Sequence, residues 1–173
     1  GTKPDIHPTA FVAESASVLG KVKVKEGASI WYNCVVRGDV SSITVGKNSN
    51  IQDSSVIHVR SKELGGGKPN DTFIGDNVTI GHSALIHACT IHDNAFVGMQ
   101  SCIMDFAVIE PFAMVGAGAL VSGGTVIKSG ELWVGRPAKK LRDLTKKEMA
   151  FIQKSAWEYC QFAQRHKISA TKL

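Results

Sequence analysis

The chain has 173 residues, of which 43% are hydrophobic and 20% are charged, a balance typical of a soluble globular domain. No stretch approaches the roughly 18 apolar residues of a transmembrane helix, and we expect no membrane partner. The net charge of +5 arises in residues 139–173, which hold nine Lys and Arg against three Asp and Glu. Because no binding motif accompanies this basic segment, we interpret it as a solvated helix face and expect no nucleic-acid partner.

The four cysteines fit neither a zinc motif nor a redox motif, since no two of them are separated by two residues. Most of them occupy positions where a small apolar residue is expected. We therefore interpret them as reduced packing residues. The first residues lack the pattern of a secretory signal, so we expect the cytoplasm, with an organellar matrix as the alternative location.

A six-residue period dominates the sequence. Val or Ile recurs at this spacing, with a three-residue insertion after Val36, a long break after Ile57 and one residue skipped after Ile86. Small residues follow most of these positions four residues later. The nineteen aliphatic positions are Ile6, Val12, Val18, Val24, Ile30, Val36, Val45, Ile51, Ile57, Ile74, Ile80, Ile86, Ile91, Val97, Ile103, Ile109, Val115, Val121 and Ile127.

A period of six suits neither an amphipathic helix nor simple strand alternation. It suits a short strand, whose branched aliphatic residue points inward, followed by a corner with a small residue. Three such sides close a coil, and the repeats predict a little over six stacked coils, an all-β solenoid. The repeat resembles that of the hexapeptide-repeat superfamily, and this resemblance implies a left-handed parallel β-helix.

We expect the β-helix to span residues 1–138, with a loop over 59–73, and residues 139–173 to form a C-terminal helix and basic tail. The segment 134–139 resembles the exit from the β-helix in this superfamily. Thr145 and Glu148 have the spacing of a capping box. An apolar stripe from Met149 to Ala163 follows, and it predicts a helix near 145–166 that packs on the β-helix.

The histidines fall on predictable faces when the three walls of the coil are named a, b and c, with Ile6 on wall a. Counting places Arg37, His58 and His87 on wall c in successive coils, pointing outward. Stacked strands lie about 4.8 Å apart, so two imidazoles there can share one metal ion. His82 follows wall b instead, and we expect it to join the other two from a neighbouring subunit. Counting also places Asp53 one coil before His82.

Several motifs then match one family in order. The segments are 31–39 (Trp-Tyr-Asn-Cys-Val-Val-Arg-Gly-Asp), 50–53 (Asn-Ile-Gln-Asp), 57–59 (Ile-His-Val) and 81–87 (Gly-His-Ser-Ala-Leu-Ile-His). Together they resemble the γ-class carbonic anhydrase family over nearly the whole chain.

This resemblance implies a homotrimer with a divalent metal at each subunit interface, most simply Zn²⁺, with Fe²⁺ or Co²⁺ as alternatives. The implied activity is hydration of carbon dioxide to bicarbonate by a metal-bound hydroxide. The implied site residues are the metal ligands His58, His82 and His87, the inter-subunit ion pair Arg37 and Asp39, the polar pair Gln52 and Asp53, and the active-site tyrosine Tyr159.

Two departures from the family keep other functions open. Some active members have a glutamate where this chain has Val40, and their glutamate-rich loop is replaced here by a basic segment, 60–68, with Glu63 as its one acidic residue. A catalytically silent trimeric scaffold is therefore one alternative. The other is a hexapeptide acyltransferase or coenzyme A thioester enzyme, which would use an interface histidine as a general base without a metal.

Overall fold

The computed structural model describes residues 2–61 and 70–170, with the side chains of the last two helical residues left aside. It is a parallel β-solenoid of about 7 turns with one C-terminal helix. The predicted solenoid is therefore confirmed. Most of the predicted loop over 59–73, including Glu63, lies outside the described residues.

The described elements are nineteen strands and one helix, α1 (Lys146–Ala170). The strands in chain order are β1 (Asp5–Ile6), β2 (Phe11–Val12), β3 (Ser17–Val24), β4 (Ser29–Ile30), β5 (Val35–Val45), β6 (Asn50–Ile51), β7 (Val56–His58), β8 (Thr72–Ile74), β9 (Thr79–Ile80), β10 (Leu85–His87), β11 (Thr90–Ile91), β12 (Phe96–Val97), β13 (Cys102–Ile103), β14 (Val108–Ile109), β15 (Met114–Val115), β16 (Leu120–Val121), β17 (Val126–Ile127), β18 (Glu131–Gly135) and β19 (Ala138–Asp143).

The strand register confirms the three walls that counting predicted. On wall c, Ile57 pairs with Val36 on one side and with Ile86 on the other. The inward aliphatic residues from Val24 to Ile127 are no more than 1% exposed, so they form one continuous core. The first of the series, Ile6, is 40% exposed, because the first coil has no described coil beneath it.

The corners of the solenoid use left-handed backbone conformations. Positive φ recurs at six-residue spacing, and the residues at these corners include Asn77, Ser83, Asn94, Gln100, Phe106, Phe112, Gly118, Gly124 and Gly130. Asn and Gly tolerate this region, whereas a bulky aromatic residue rarely adopts it. The residue skipped in the repeat falls at the corner occupied by Ala88, whose φ is 46°.

Two strands, β18 and β19, were not predicted. Strand β19 follows the tight connection after β18 and pairs with it in the antiparallel direction. Trp133 of β18 pairs with Val115 of β15 and takes the inward position on wall b that Val or Ile holds in earlier coils. The segment predicted to leave the β-helix therefore turns back and adds a strand to wall b first.

Helix α1 contacts strands β2, β4, β6 and β9, so it lies along wall b. Ile152, Ala156 and Ala163 are buried in this contact. The helix extends four residues beyond the predicted end. Near that end His166 is partly buried and hydrogen-bonds the Tyr32 hydroxyl at 2.8 Å. In the part of the chain that the structure describes, no helix combines the length and apolarity needed to cross a membrane.

The four cysteines are free. Cys34 and Cys89 are fully buried, and Cys102 and Cys160 are partly buried. Burial raises the pKa of the Cys34 thiol to about 11, which keeps it protonated and unreactive near neutral pH. These contacts agree with the interpretation of the cysteines as packing residues.

The capping box of helix α1 has a predictable pH dependence. Glu148 accepts hydrogen bonds from Arg142 and from Thr145, whose hydroxyl accepts one in return from the Glu148 backbone. The Arg142 bond, followed by those of Thr145, lowers the pKa of Glu148 from 4.5 to about 2. Because the folded pKa is depressed, this stabilisation is fully present above pH 4.5 and is lost as the pH falls through about 2.

We therefore expect Glu148→Gln to lower the urea midpoint at pH 7, and we expect that difference to shrink towards zero near pH 2. Unfolding followed by far-ultraviolet circular dichroism at both pH values measures this. Glu158→Gln is the matched control, since Glu158 has a 3.6 Å ion pair with Lys154 on the exposed helix surface. An equal difference at the two pH values would contradict the assigned role of the Glu148 carboxylate.

Candidate metal centre

Two histidines meet at the outer end of wall c. His58 ends β7 and His87 ends β10, and the parallel pairing of these strands sets the two residues directly opposite each other. Their ring centroids lie 5.2 Å apart, and His58 Nδ1 lies 3.3 Å from His87 Nε2. Arg37 follows Val36 one coil earlier on the same wall. The structure thus brings together the column that counting predicted.

The other nitrogen of each of these rings hydrogen-bonds a carboxylate. Asp39 Oδ1 lies 3.0 Å from His58 Nε2, and Asp105 Oδ1 lies 2.5 Å from His87 Nδ1. An ionised carboxylate only accepts hydrogen bonds, so each of these nitrogens carries a proton. A neutral imidazole then has its lone pair on the remaining nitrogen, and these are the two nitrogens that face each other.

The spacing of the two facing nitrogens fits a shared metal ion. Two nitrogens bonded to a tetrahedral zinc at roughly 2.0–2.1 Å lie about 3.3–3.4 Å apart, and the separation here is 3.3 Å. Among residues 2–61 and 70–170, no three His, Cys, Asp or Glu side chains of one chain converge well enough to hold a metal. A site with three protein ligands needs a further donor from outside this column.

His82 lies at a different corner. It follows β9 on wall b and precedes β10 on wall c, whereas His58 and His87 end strands of wall c. The two groups therefore lie at opposite edges of wall c. His82 Nδ1 bonds Asp53 Oδ2 at 2.9 Å, which leaves its lone pair on Nε2.

The hydroxyl of Tyr159 on helix α1 lies 3.5 Å from His82 Nε2. Burial, reinforced by the negative charge of Asp53, raises the pKa of Tyr159. The hydroxyl therefore keeps its proton near neutral pH and can donate it to a hydrogen bond. The structure thus brings Tyr159, Asp53 and His82 together at the corner between walls b and c.

The side chain of Gln52 belongs to a hydrogen-bond network on wall b. Its side chain is buried beneath helix α1, and its amide nitrogen donates to Asn50 Oδ1 at 3.1 Å. Asn50 in turn donates to Thr79, whose hydroxyl bonds Ser155 of the helix. The network ties wall b to the helix, and Gln52 directly precedes Asp53 in the chain.

Arg37 and Asp39 form an ion pair within the chain, and Asp39 also bonds His58. Desolvation would raise the pKa of Asp39, but the hydrogen bonds from His58 and Arg37 together lower it. Asp39 is therefore ionised near neutral pH. Its charge balances Arg37 and orients the His58 ring.

Asp105 and Arg60 were missed by sequence reasoning. Arg60 Nη1 bonds Asp105 Oδ2 at 3.2 Å, and both residues line a groove of about 520 Å³ together with His58, His87 and Val40. Asp105 lies eighteen residues after His87, but the residue skipped after Ile86 shortens this coil to seventeen. Counting therefore places Met104 opposite His87, in line with the pairing of Ile86 with Ile103, and it did not predict the contact of Asp105 with His87.

Several proteins have amino-acid sequences similar to that of this chain. No family model matches the chain. The mitochondrial gamma carbonic anhydrase 1 of Arabidopsis thaliana is 52% identical over 94% of this chain and 59% of its own length. A carbonic anhydrase of Geobacillus kaustophilus is 38% identical over 96% of this chain and 88% of its own length. The chain spans about three fifths of the length of the Arabidopsis relatives that it matches.

Solved structures agree on the fold. A hexapeptide transferase family protein from Anaplasma phagocytophilum superposes with a TM-score of 0.86 at 48% identity, covering 93% of this chain and 91% of that one. An N-acyltransferase from Bacillus cereus, solved with dTDP and coenzyme A, superposes with a TM-score of 0.69 at 16% identity, covering 86% of this chain and 88% of that one. At that identity the similarity shows the fold alone.

Proposed function

Since the chain belongs to the γ carbonic anhydrase family, we propose that it is a metal-dependent carbonic anhydrase that hydrates carbon dioxide to bicarbonate. The observation that carries this proposal is the pair of facing nitrogens on His58 and His87. Each has its lone pair available because a carboxylate holds the proton on the opposite side of the ring. His82 is the third ligand in this proposal, and it comes from a neighbouring copy of the chain.

The positions of these residues support the proposal of a homotrimer. In a three-fold ring with wall c of every copy turned towards the axis, one edge of wall c in one copy meets the opposite edge in the next. The edge with His58 and His87 then meets the edge with His82, and the arrangement closes. We propose that the ring is formed by copies of a left-handed β-helix, as in the superfamily that the repeat resembles.

The outer surface of wall c supports this arrangement. An apolar side chain stands just before the inward residue in five successive coils, and Val56 and Leu85 of this column are 38% and 41% exposed in the single chain. The column consists of Val35, Val56, Leu85, Cys102 and Leu120. It runs beside the histidine column, and a second copy covering it would remove this apolar surface from water.

The roles of the chain's own residues follow from their contacts. Three neutral histidines would hold a divalent metal, most simply zinc, which lowers the pKa of a bound water to about 7. Asp39, Asp53 and Asp105 hold the three imidazoles in the tautomers that bind. Tyr159 can donate a hydrogen bond next to His82, where a bound water or bicarbonate would lie. Gln52, held beneath helix α1, keeps the segment of Asp53 in place.

Val40 gives the groove an apolar side chain where some members of the family have a glutamate. A carboxylate there would accept protons from the site, and valine takes up none. We propose that proton release to solvent limits turnover in this chain.

The location we propose is the cytoplasm or an organellar matrix, and the mitochondrial names of the Arabidopsis relatives support the second.

Metal content and hydration together test the proposal. We expect elemental analysis of protein purified without chelators to find about one zinc, iron or cobalt ion per chain. Stopped-flow measurement with a pH indicator should then show carbon dioxide hydration that disappears after dialysis against a chelator and returns with added metal. The chelated protein before metal addition is the control for buffer catalysis.

Other outcomes point to the alternatives. A metal-bound trimer with no hydration above the buffer rate would favour the scaffold. A trimer that lacks metal after chelator-free purification and binds coenzyme A would favour an acyltransferase. Either result would refute the proposed hydration.

A further inference from the structure

We propose that Asp105 is a positioning residue that holds His87 in the tautomer with its lone pair on Nε2. The tautomer itself is inferred from geometry alone. Its effect on metal binding rests on the proposed function, in which His87 Nε2 is a metal ligand. The bond that Asp105 makes to His87 is at Nδ1, the nitrogen opposite the one that faces His58. It would act entirely through His87.

The carboxylate of Asp105 is fixed at both oxygens. Oδ1 accepts from His87 Nδ1 at 2.5 Å, and Oδ2 accepts from Arg60 Nη1 at 3.2 Å. The Arg60 guanidinium also lies 5.2 Å from the centre of the Phe106 ring, a cation–π contact. The carboxylate therefore cannot turn away from His87 without losing its bond to Arg60.

Phe106 adopts an unfavourable backbone conformation in this arrangement. Its φ is 63° at the corner after β13, where Asn or Gly would be easier to accommodate. Its ring is 43% exposed, so burial alone does not explain an aromatic residue at this corner. The ring lies against the Arg60 guanidinium that hydrogen-bonds Asp105.

Tautomer control matters because a neutral imidazole in water carries its proton mainly on Nε2. Without an acceptor at Nδ1, His87 would direct an N–H rather than a lone pair towards His58. A metal ion could then bind only after the proton moved. A carboxylate behind a metal-binding histidine removes this cost, fixes the ring plane and increases the basicity of the ligand.

Nitrogen-15 NMR of the histidine side chains tests the inference on the 173-residue chain after metal removal by a chelator. We expect His87, identified by the signals lost in His87→Gln, to carry its proton on Nδ1 in the wild type. In Asp105→Asn, which preserves size, we expect a shift towards the Nε2-protonated form. Zinc affinity, measured by competition with a chelating dye, should fall by about 10- to 100-fold.

Asp93→Asn is the matched control, because Asp93 also lies at a corner and its carboxylate accepts a backbone hydrogen bond from Asp76. It should change neither the tautomer nor the affinity. Asp105→Ala gives a second variant without an amide that could substitute for the carboxylate. An unchanged His87 tautomer or unchanged zinc affinity in both Asp105 variants would overturn the inference. A wild-type protein that binds no zinc while His87 is protonated on Nδ1 would refute the proposed function and leave the positioning role intact.

Discussion

Homotrimers of His82→Ala chains should lose their metal. Mixing these chains with chains that carry both His58→Ala and His87→Ala should restore part of the metal. Each homotrimer lacks a ligand at every interface. A mixed trimer has one junction at which an intact His58–His87 pair meets an intact His82. We therefore expect one metal ion per mixed trimer, and about one third of the wild-type hydration rate.

The size of the loss in the homotrimers follows from the coordination. Removal of a residue that only supports a ligand costs about 10- to 100-fold in metal affinity, so removal of a ligand itself should cost more than ~10²-fold. The trimer should persist in all variants, since none of the three histidines lies in the apolar column of wall c. Chelator-free purification, elemental analysis and stopped-flow hydration measure these results.

The mixed trimers can be isolated with two different affinity tags that contain no histidine, one on each chain. The control is a mixture of two differently tagged His82→Ala chains, which should stay without metal. Restoration separates the proposed arrangement from a site within a single chain. If the mixed trimer stays empty while the wild type binds metal, the assignment of ligands to two subunits is wrong.

The fold was predictable because the repeat depends on local physical requirements. A flat two-residue strand needs a branched aliphatic residue facing inward, and insertions or deletions between two sides leave the order of the three walls unchanged. Ile57 and Ile86 could therefore be assigned to the same wall across a long loop. The pairing of β7 with β10 confirms that assignment.

The end of the solenoid was less predictable, because the series of Val and Ile residues stops at Ile127. Trp133 continues the inward series with an aromatic residue that the pattern of Val and Ile does not include. Strand β19 is rich in Lys and Arg, and it pairs as an edge strand whose outward side chains remain in solvent. Such a strand carries no hydrophobic alternation for sequence reasoning to detect.

Some contacts of the candidate site were likewise predictable from the sequence, and others were not. The stacking of His58 on His87, and of His82 beside Asp53, follows from counting. The Asp39–His58 bond depends on a three-residue insertion whose path cannot be read from spacing. The environment of Gln52 depends on helix α1, whose contact with wall b brings Ser155 over the network of Thr79 and Asn50. Long-range packing of this kind leaves no periodic signal.

A charge placed in the apolar column of wall c should dissociate the proposed trimer. Leu85 lies in the middle of this column, and its side chain points away from the core of its own chain. In Leu85→Glu each copy would have to bury a carboxylate without a partner, at a cost of several kcal/mol per subunit. We expect sedimentation velocity to show monomers at micromolar concentrations, with an unchanged far-ultraviolet spectrum.

Metal content and hydration should fall together with the trimer, because the donors would no longer meet. This coupling distinguishes an interface site from a site that merely lies near an interface. Val126→Glu is the matched control: Val126 is 40% exposed and also points outward, but it lies on wall a. It should leave assembly, metal and activity unchanged. A Leu85→Glu monomer that retained about one metal ion per chain would show that His82 is not needed from a neighbour, and the arrangement of wall c around the axis would have to be abandoned.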